Sequence, residues 1–205
     1  MSTGTKKSRR YRKRRRAELE LETRHRIAEA TAKLHGAVGP AQTTVSAIAD
    51  EAGVQRSTVY RHFPDDHALF DACTAHFYGR HPMPDIERWA SIADPDERLH
   101  RALTDLYAWY GETEDMLSNT QRDAAYVPGP TRARFLGYFK TARELLTRGR
   151  QERGRPRARV AAAIGHAIAF ATWRSLVREQ GLDDGEAVDM MARIVAEAGG
   201  LARRG

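Results

Sequence analysis

Apolar residues between positions 44 and 63 recur with a helical period that is interrupted once. Val45, Ile48, Ala49 and Ala52 fall at i, i+3, i+4 and i+7, one face of a short helix. Gly53 follows, and glycine readily takes the left-handed backbone that ends a helix. Val54 occupies the turn, and Val59 with Phe63, four apart, gives a second helix its apolar side. Ala49 is small where the two helices would cross. The spacing predicts a helix-turn-helix, whose second helix enters the DNA major groove.

The same periodicity predicts an all-α chain of about nine helices, with no strand signal and no internal repeat. A first helix is expected over 17–35, with Leu21, Ile27, Ala30 and Leu34 inward, stopped by Gly36, Gly39 and Pro40. Asp65 suits the N-cap of a fourth helix over 66–78, with Leu69, Ala72, Cys73, His76 and Phe77 inward. Pro82 and Pro84 mark a domain boundary. Beyond it, Asp94-Pro95-Asp96-Glu97 combines a cap, an N1 proline and early acids. Leu99, Leu103, Leu106 and Tyr110 follow up to a stop at Gly111, and Thr113 would cap a short helix to about Ala125. Helices are expected over 131–153 and 157–180. The last starts at Asp183 or Asp184, with Val188, Met191, Val195 and Ala198 inward, and ends at Gly199-Gly200. The expected domains are a helix-turn-helix unit over 17–80 and a helical unit over 81–205, preceded by a disordered basic arm over 1–16.

Charge changes how that motif is understood. The formal net charge is +7, but residues 6–16 hold nine Lys/Arg and no acid, which leaves 25 basic against 27 acidic residues elsewhere. Residues 17–80 carry six basic and nine acidic residues, a balance of −3. Attraction to phosphate is therefore assigned to the arm, with Arg12, Arg14, Arg15 and Arg16 as contacts. Such an arm can either take up a defined position on DNA or remain a solvated tail.

With Val59 and Phe63 facing the core, about 100° per residue turns Ser57 and Arg61 directly outward, flanked by Thr58 and Tyr60. Arg56 and His62 sit at the shoulders. Arg61 can bond a guanine through two donors, and the Thr58 methyl can touch a thymine methyl. Tyr60, His62 and the Thr44 hydroxyl are better placed as phosphate contacts that fix register.

Residues 27–77 resemble the TetR family of bacterial transcriptional regulators. The resemblance rests on the Thr43-Thr44 helix start, on IADEAGV and TVYRHF, and on the proline and helix with Leu69 and Phe70 that follow. It implies a homodimer whose N-terminal heads bind a palindromic double-stranded DNA operator. It further implies a C-terminal domain holding the dimer interface and a pocket for a small-molecule effector, which releases DNA through the fourth helix. Two positions depart from the family pattern. Gln55 stands where a Ser cap is frequent, and Asp66 where a phosphate-contacting Lys is common.

Residues suited to line the pocket are Tyr107, Tyr110, Met116, Tyr126, Phe135, Phe139, His166 and Phe170, each of which would equally serve as core. His166 fits three roles: ligand partner, interface residue or satisfied core histidine. The Ala/Gly-rich stretch 160–171, together with the last helix, suits a four-helix dimer seam. The single cysteine, Cys73, allows no intrachain disulfide and suits a core position in a reducing cytosol. There is no phosphate-binding glycine loop, GxSxG or HExxH, and the pairs His62/His67 and His76/His81 lack supporting ligands. The expectation is a cytoplasmic, non-enzymatic regulator with no cofactor, metal or membrane association. The rival is a non-specific nucleic-acid binder driven by the arginine-rich arm.

Overall fold

The computed structural model describes residues 4–200, with side chains from Tyr11 onward. All regular elements among these residues are helical: α1 (Gly4–Ala37), α2 (Val45–Glu51), α3 (Arg56–His62), α4 (Asp66–Arg80), α5 (Ile86–Ala90), α6 (Pro95–Arg122), α7 (Gly129–Thr147), α8 (Gly154–Ala167), α9 (Phe170–Arg174) and α10 (Asp184–Ala198). A π turn, Ser175–Glu179, continues α9. The all-α class expected from the periodicity is the one observed. No single helix among the described residues is long and apolar enough to cross a membrane.

Two compact units form. The first holds the described residues up to Arg80 together with Ser118–Thr131, and the second holds His81–Leu117 with the described residues from Arg132 on. In the first unit, Ile27 and Ala30 of α1, Ile48, Ala49 and Ala52 of α2, Val59 of α3, Phe63 and Leu69 make one buried cluster, with Leu34, Val45, Val54, Ala68 and Ala72 against it. The helix-turn-helix scaffold residues identified by spacing are all in or against this cluster.

Several elements differ from expectation, each for a physical reason. α1 is one helix from Gly4, so residues 11–16 are helical and not a disordered arm; residues 1–3 lie outside the described residues. Lys and Arg are good helix formers, and the i,i+4 pairs Arg14–Glu18 (2.9 Å) and Arg16–Glu20 (3.1 Å) favour the helix further. Leu21, expected inward, is 67% exposed, because the buried stretch of α1 begins only at Ile27. α6 does not stop at Gly111. A glycine inside a helix costs about 0.5–1 kcal/mol. The stripe Leu99, Leu103, Leu106, Tyr110, Thr113 and Leu117, all buried, outweighs that cost. Thr113 is therefore mid-helix, donating to Trp109 O at 2.6 Å instead of capping. α5 was not anticipated; it is capped by Asp85 and seats the fully buried Trp89, whose indole N–H bonds Asp105 at 2.9 Å.

The helix expected over 157–180 bends by 62° between α8 and the α9 segment. Thr172 N–H turns to Ala169 O at 3.0 Å, so Ile168 O loses its helical donor. Two fully buried tyrosines of α6 supply replacements. Tyr107 donates to Ala167 O at 2.9 Å and Tyr110 to Ile168 O at 2.5 Å. Thr172 Oγ1 adds a bond to His166 O at 2.6 Å. α10 begins with a full capping box between Asp183 and Glu186. It buries Val188, Met191, Val195 and Ala198 as expected from the spacing.

Candidate nucleic-acid interface

The turn between α2 and α3 has the bonding of a Schellman motif. Gly53 sits at φ +63° and donates to Asp50 O at 3.2 Å, while Val54 N–H reaches Ala49 O at 2.9 Å. Thr44 caps α2, its hydroxyl oxygen accepting from Ala47 N at 3.1 Å, so the hydroxyl proton stays available to an outside acceptor. Gln55 opens α3 without a side-chain bond to the helix. Asp65 caps α4 by accepting from Ala68 N at 2.7 Å.

Val59 and Phe63, 1% and 2% exposed, pin α3 to the core and thereby fix what it presents. Arg56, Ser57, Tyr60 and Arg61 are exposed, as is Thr44, and Thr58 and His62 are half-buried. Burial and then the neighbouring Arg61 and Arg24 guanidiniums hold the His62 imidazole below its usual proton affinity, against an opposing pull from Glu20. At neutral pH His62 therefore offers a neutral N–H and no positive charge. Arg12, Arg14, Arg15 and Arg16 are exposed on α1.

Several positioning groups had no signal in the sequence. Arg24 lies with its guanidinium carbon 4.2 Å over the Phe63 ring and donates to His62 O at 2.6 Å, joining α1 to the end of α3. Lys33 pairs with Glu51 at 2.6 Å, joining α1 to α2. Residues 118–131 fasten the loop that leads into α2. Asn119 Nδ2 bonds Gly36 O at 2.6 Å, Arg122 reaches Val38 O at 2.8 Å, and Ala41 N–H donates to Asp123 at 3.1 Å. The Arg122–Asp123 pair sits against Gly39 (φ +90°), where a side-chain carbon would overlap both groups. The partners are about 80 residues apart in sequence, beyond the reach of any local pattern.

In the second unit, Tyr107, Tyr110, Phe135, Phe139 and Phe170 form one aromatic cluster. From Tyr110 the ring centroids of Tyr107, Phe139 and Phe170 lie 6.2, 6.5 and 5.4 Å away, and Phe135 is 4.9 Å from Phe139. Met116 is half-buried on α6, and His166 is exposed on α8 beside Thr172. Tyr126 is 63% exposed and belongs to the first unit. Two open clefts mark the second unit. One, about 430 Å³, is lined by Arg88, Ser91, Ile92, Glu97, His100 and Arg101. The other, about 600 Å³, is lined by Gly149, Arg150, Gln151, Arg153 and Arg157.

Residues 27–73 match the family described as bacterial regulatory proteins, tetR family. No curated protein matches the chain by sequence. Solved structures match it by fold. A TetR-like transcriptional regulator from Rhodococcus sp. RHA1 aligns over 85% of this chain and 94% of its own, at 19% identity and a TM-score of 0.61. RolR, solved with the ligand resorcinol, aligns over 92% and 97% at 22% identity and a TM-score of 0.50. NalD, the secondary repressor of the MexAB-OprM multidrug efflux pump in Pseudomonas aeruginosa, aligns over 90% and 98% at 19% identity and a TM-score of 0.50. Residues 27–73 thus match the tetR family model, and the described residues share their all-α fold with solved TetR-like regulators.

Proposed function

We propose that the protein is a cytoplasmic transcriptional repressor that binds a near-palindromic operator as a homodimer and is released by a small-molecule effector. The observation that carries the DNA-binding part is α3, pinned by Val59 and Phe63 while Ser57, Tyr60 and Arg61 stay exposed. Arg61, Thr58 and Ser57 face the bases, Thr44, Tyr60 and His62 fix register on phosphate, and Arg56 flanks them at the shoulder of α3. Arg12, Arg14, Arg15 and Arg16 give the slightly acidic head its attraction to the duplex.

The outer side of α10 supports a dimer. Met190 and Ile194, four apart, are 42% and 47% exposed. With the small residues of α8 they suit a four-helix seam. The aromatic cluster around Tyr110 favours a flat or apolar effector, as does the resorcinol held by the structurally similar RolR.

DNase footprinting on genomic fragments tests the reading. A discrete, near-palindromic protected site is expected, lost in Tyr60→Ala and Arg61→Ala variants that keep wild-type helicity. Retained operator affinity in both variants would refute the assignment of α3. The exposed basic face of α1 favours a second reading, non-specific nucleic-acid binding, under which no discrete site is protected. Replacing Arg12, Arg14, Arg15 and Arg16 by Gln separates the two contributions. The salt slope of operator binding should fall by about 0.9 per lost phosphate contact. An unchanged slope removes α1 from the interface.

A further inference from the structure

The turn from α7 to α8 holds six arginines and one glutamate within residues 148–159. Three of these arginines are bonded within the fold. Arg150, its side chain 7% exposed, pairs with Asp96 at 2.8 Å and donates to Pro95 O at 3.1 Å. Arg159 bonds Ala198 O at 3.1 Å and Gly199 O at 3.0 Å. Arg153 bonds the carbonyls of Gln151 (2.9 Å) and Glu152 (3.3 Å), leaving its charge without a carboxylate. Arg148, Arg155 and Arg157 are exposed and pair with no described carboxylate.

The turn is shaped, not loose. Gly149 and Gly154 take φ +78° and +59°, and Arg150 is anchored as above. Arg98 lies behind Gly149. It is 6% exposed, it donates to Ile92 O at 2.8 Å and also to Arg148 O, and its Nε has no partner. Its Nη2 lies 3.6 Å from where a side-chain carbon of Gly149 would stand. Burial, then the adjacent Arg150, lowers the proton affinity of Arg98; Asp94 opposes this and Arg148 adds to it. Arg150 and Arg148 thus lie close enough to Arg98 to oppose its charge, with Asp94 offsetting them in part. Here opens the cleft of about 600 Å³ lined by Gly149, Arg150, Gln151, Arg153 and Arg157.

We propose that this cleft binds a small phosphate-bearing molecule, held by Arg153 and Arg157 beside Arg150, with Arg98 buried behind Gly149. Guanidinium forks match phosphate oxygens, and the open cleft leaves Arg153 and Arg157 accessible to one. The inference does not rest on the repressor reading, because binding is measured on the protein alone.

The probe is inorganic pyrophosphate, titrated calorimetrically into the full chain. One saturable site per chain is expected. The pair Arg153→Gln and Arg157→Gln should weaken it about tenfold or more, since charge-assisted bonds are lost. The pair Arg14→Gln and Arg16→Gln in α1 should leave it unchanged. Both arginines of the first pair bond only local carbonyls or solvent, so the melting profile should be retained. Pyrophosphate should also protect Arg153 and Arg157 from phenylglyoxal, read by peptide mass. Absence of saturable binding, equal affinity in the Arg153/Arg157 pair, or loss in the α1 pair instead would each overturn the proposal. So would displacement of pyrophosphate by a random DNA duplex in the α1 pair, which would make the cleft a nucleic-acid surface.

Discussion

Tyr110→Phe tests the structural role of the residue most central to the aromatic cluster. The substitution keeps the ring, which is fully buried, and removes only the hydroxyl. That hydroxyl donates to Ile168 O at 2.5 Å, at the break where Thr172 N–H has turned to Ala169 O. Ile168 is itself 2% exposed, so water cannot replace the lost donor without rearrangement. Stranding a buried carbonyl costs about 1–3 kcal/mol. For a chain of this size, that lowers Tm by about 2–4 °C per kcal/mol. Urea unfolding followed by far-UV circular dichroism measures it, with Tyr107→Phe as the parallel case at Ala167 O. Alkaline pH gives an independent check. Burial, and then Tyr107 and Tyr138, hold the Tyr110 phenol well above its usual value. A raised folded pKa contributes stability that is complete below the unfolded value of about 10 and is lost as pH rises beyond it. Tyr110→Phe should therefore lose less stability than wild type above pH 10. A variant within about 0.5 kcal/mol of wild type at neutral pH would refute the claim that this bond holds the bend.

Three further outcomes are expected. His35, 4% exposed beside Cys73, Phe70 and Asp123, has its imidazole lowered to about 4 by burial, partly offset by Asp123. Its contribution is present above about pH 6.5 and fades as pH falls towards 4, by roughly 3 kcal/mol in total. Denaturant midpoints at pH 7 and pH 5 for wild type and His35→Gln should diverge accordingly, and parallel curves would contradict the assignment. Gly39→Ala, at φ +90° and against Arg122 and Asp123, should lower head stability by more than about 1 kcal/mol, measured by thermal melting. Arg24→Gln should cost only about 0.5–1 kcal/mol of stability, because the site is exposed. It should still weaken operator binding in a gel-shift assay, since it frees the end of α3 from α1.

The short-range content of this protein was legible in its sequence. Spacing alone located α2, the turn at Gly53 and α3, because a helical face, a left-handed glycine and an i,i+4 pair are local events. The same holds for the cap at Asp65 and for a last helix starting at Asp183 or Asp184, of which the fold uses Asp183 as the cap. What depends on burial was not legible. Gly111 reads as a stop until a buried stripe carries α6 through it, and 157–180 reads as one helix until Tyr107 and Tyr110 take up the carbonyls of a bend. Leu21 reads as core until α1 proves longer than the head it packs on. Arg24, Asn119, Arg122 and Asp123 became positioning residues only when partners 38 or about 80 positions away met them in space. Local backbone preferences and periodicity act within a few residues and can be read along the chain. Competition between a glycine's cost and a buried face, or between a helical hydrogen bond and a tyrosine, is settled only by what the tertiary fold brings alongside.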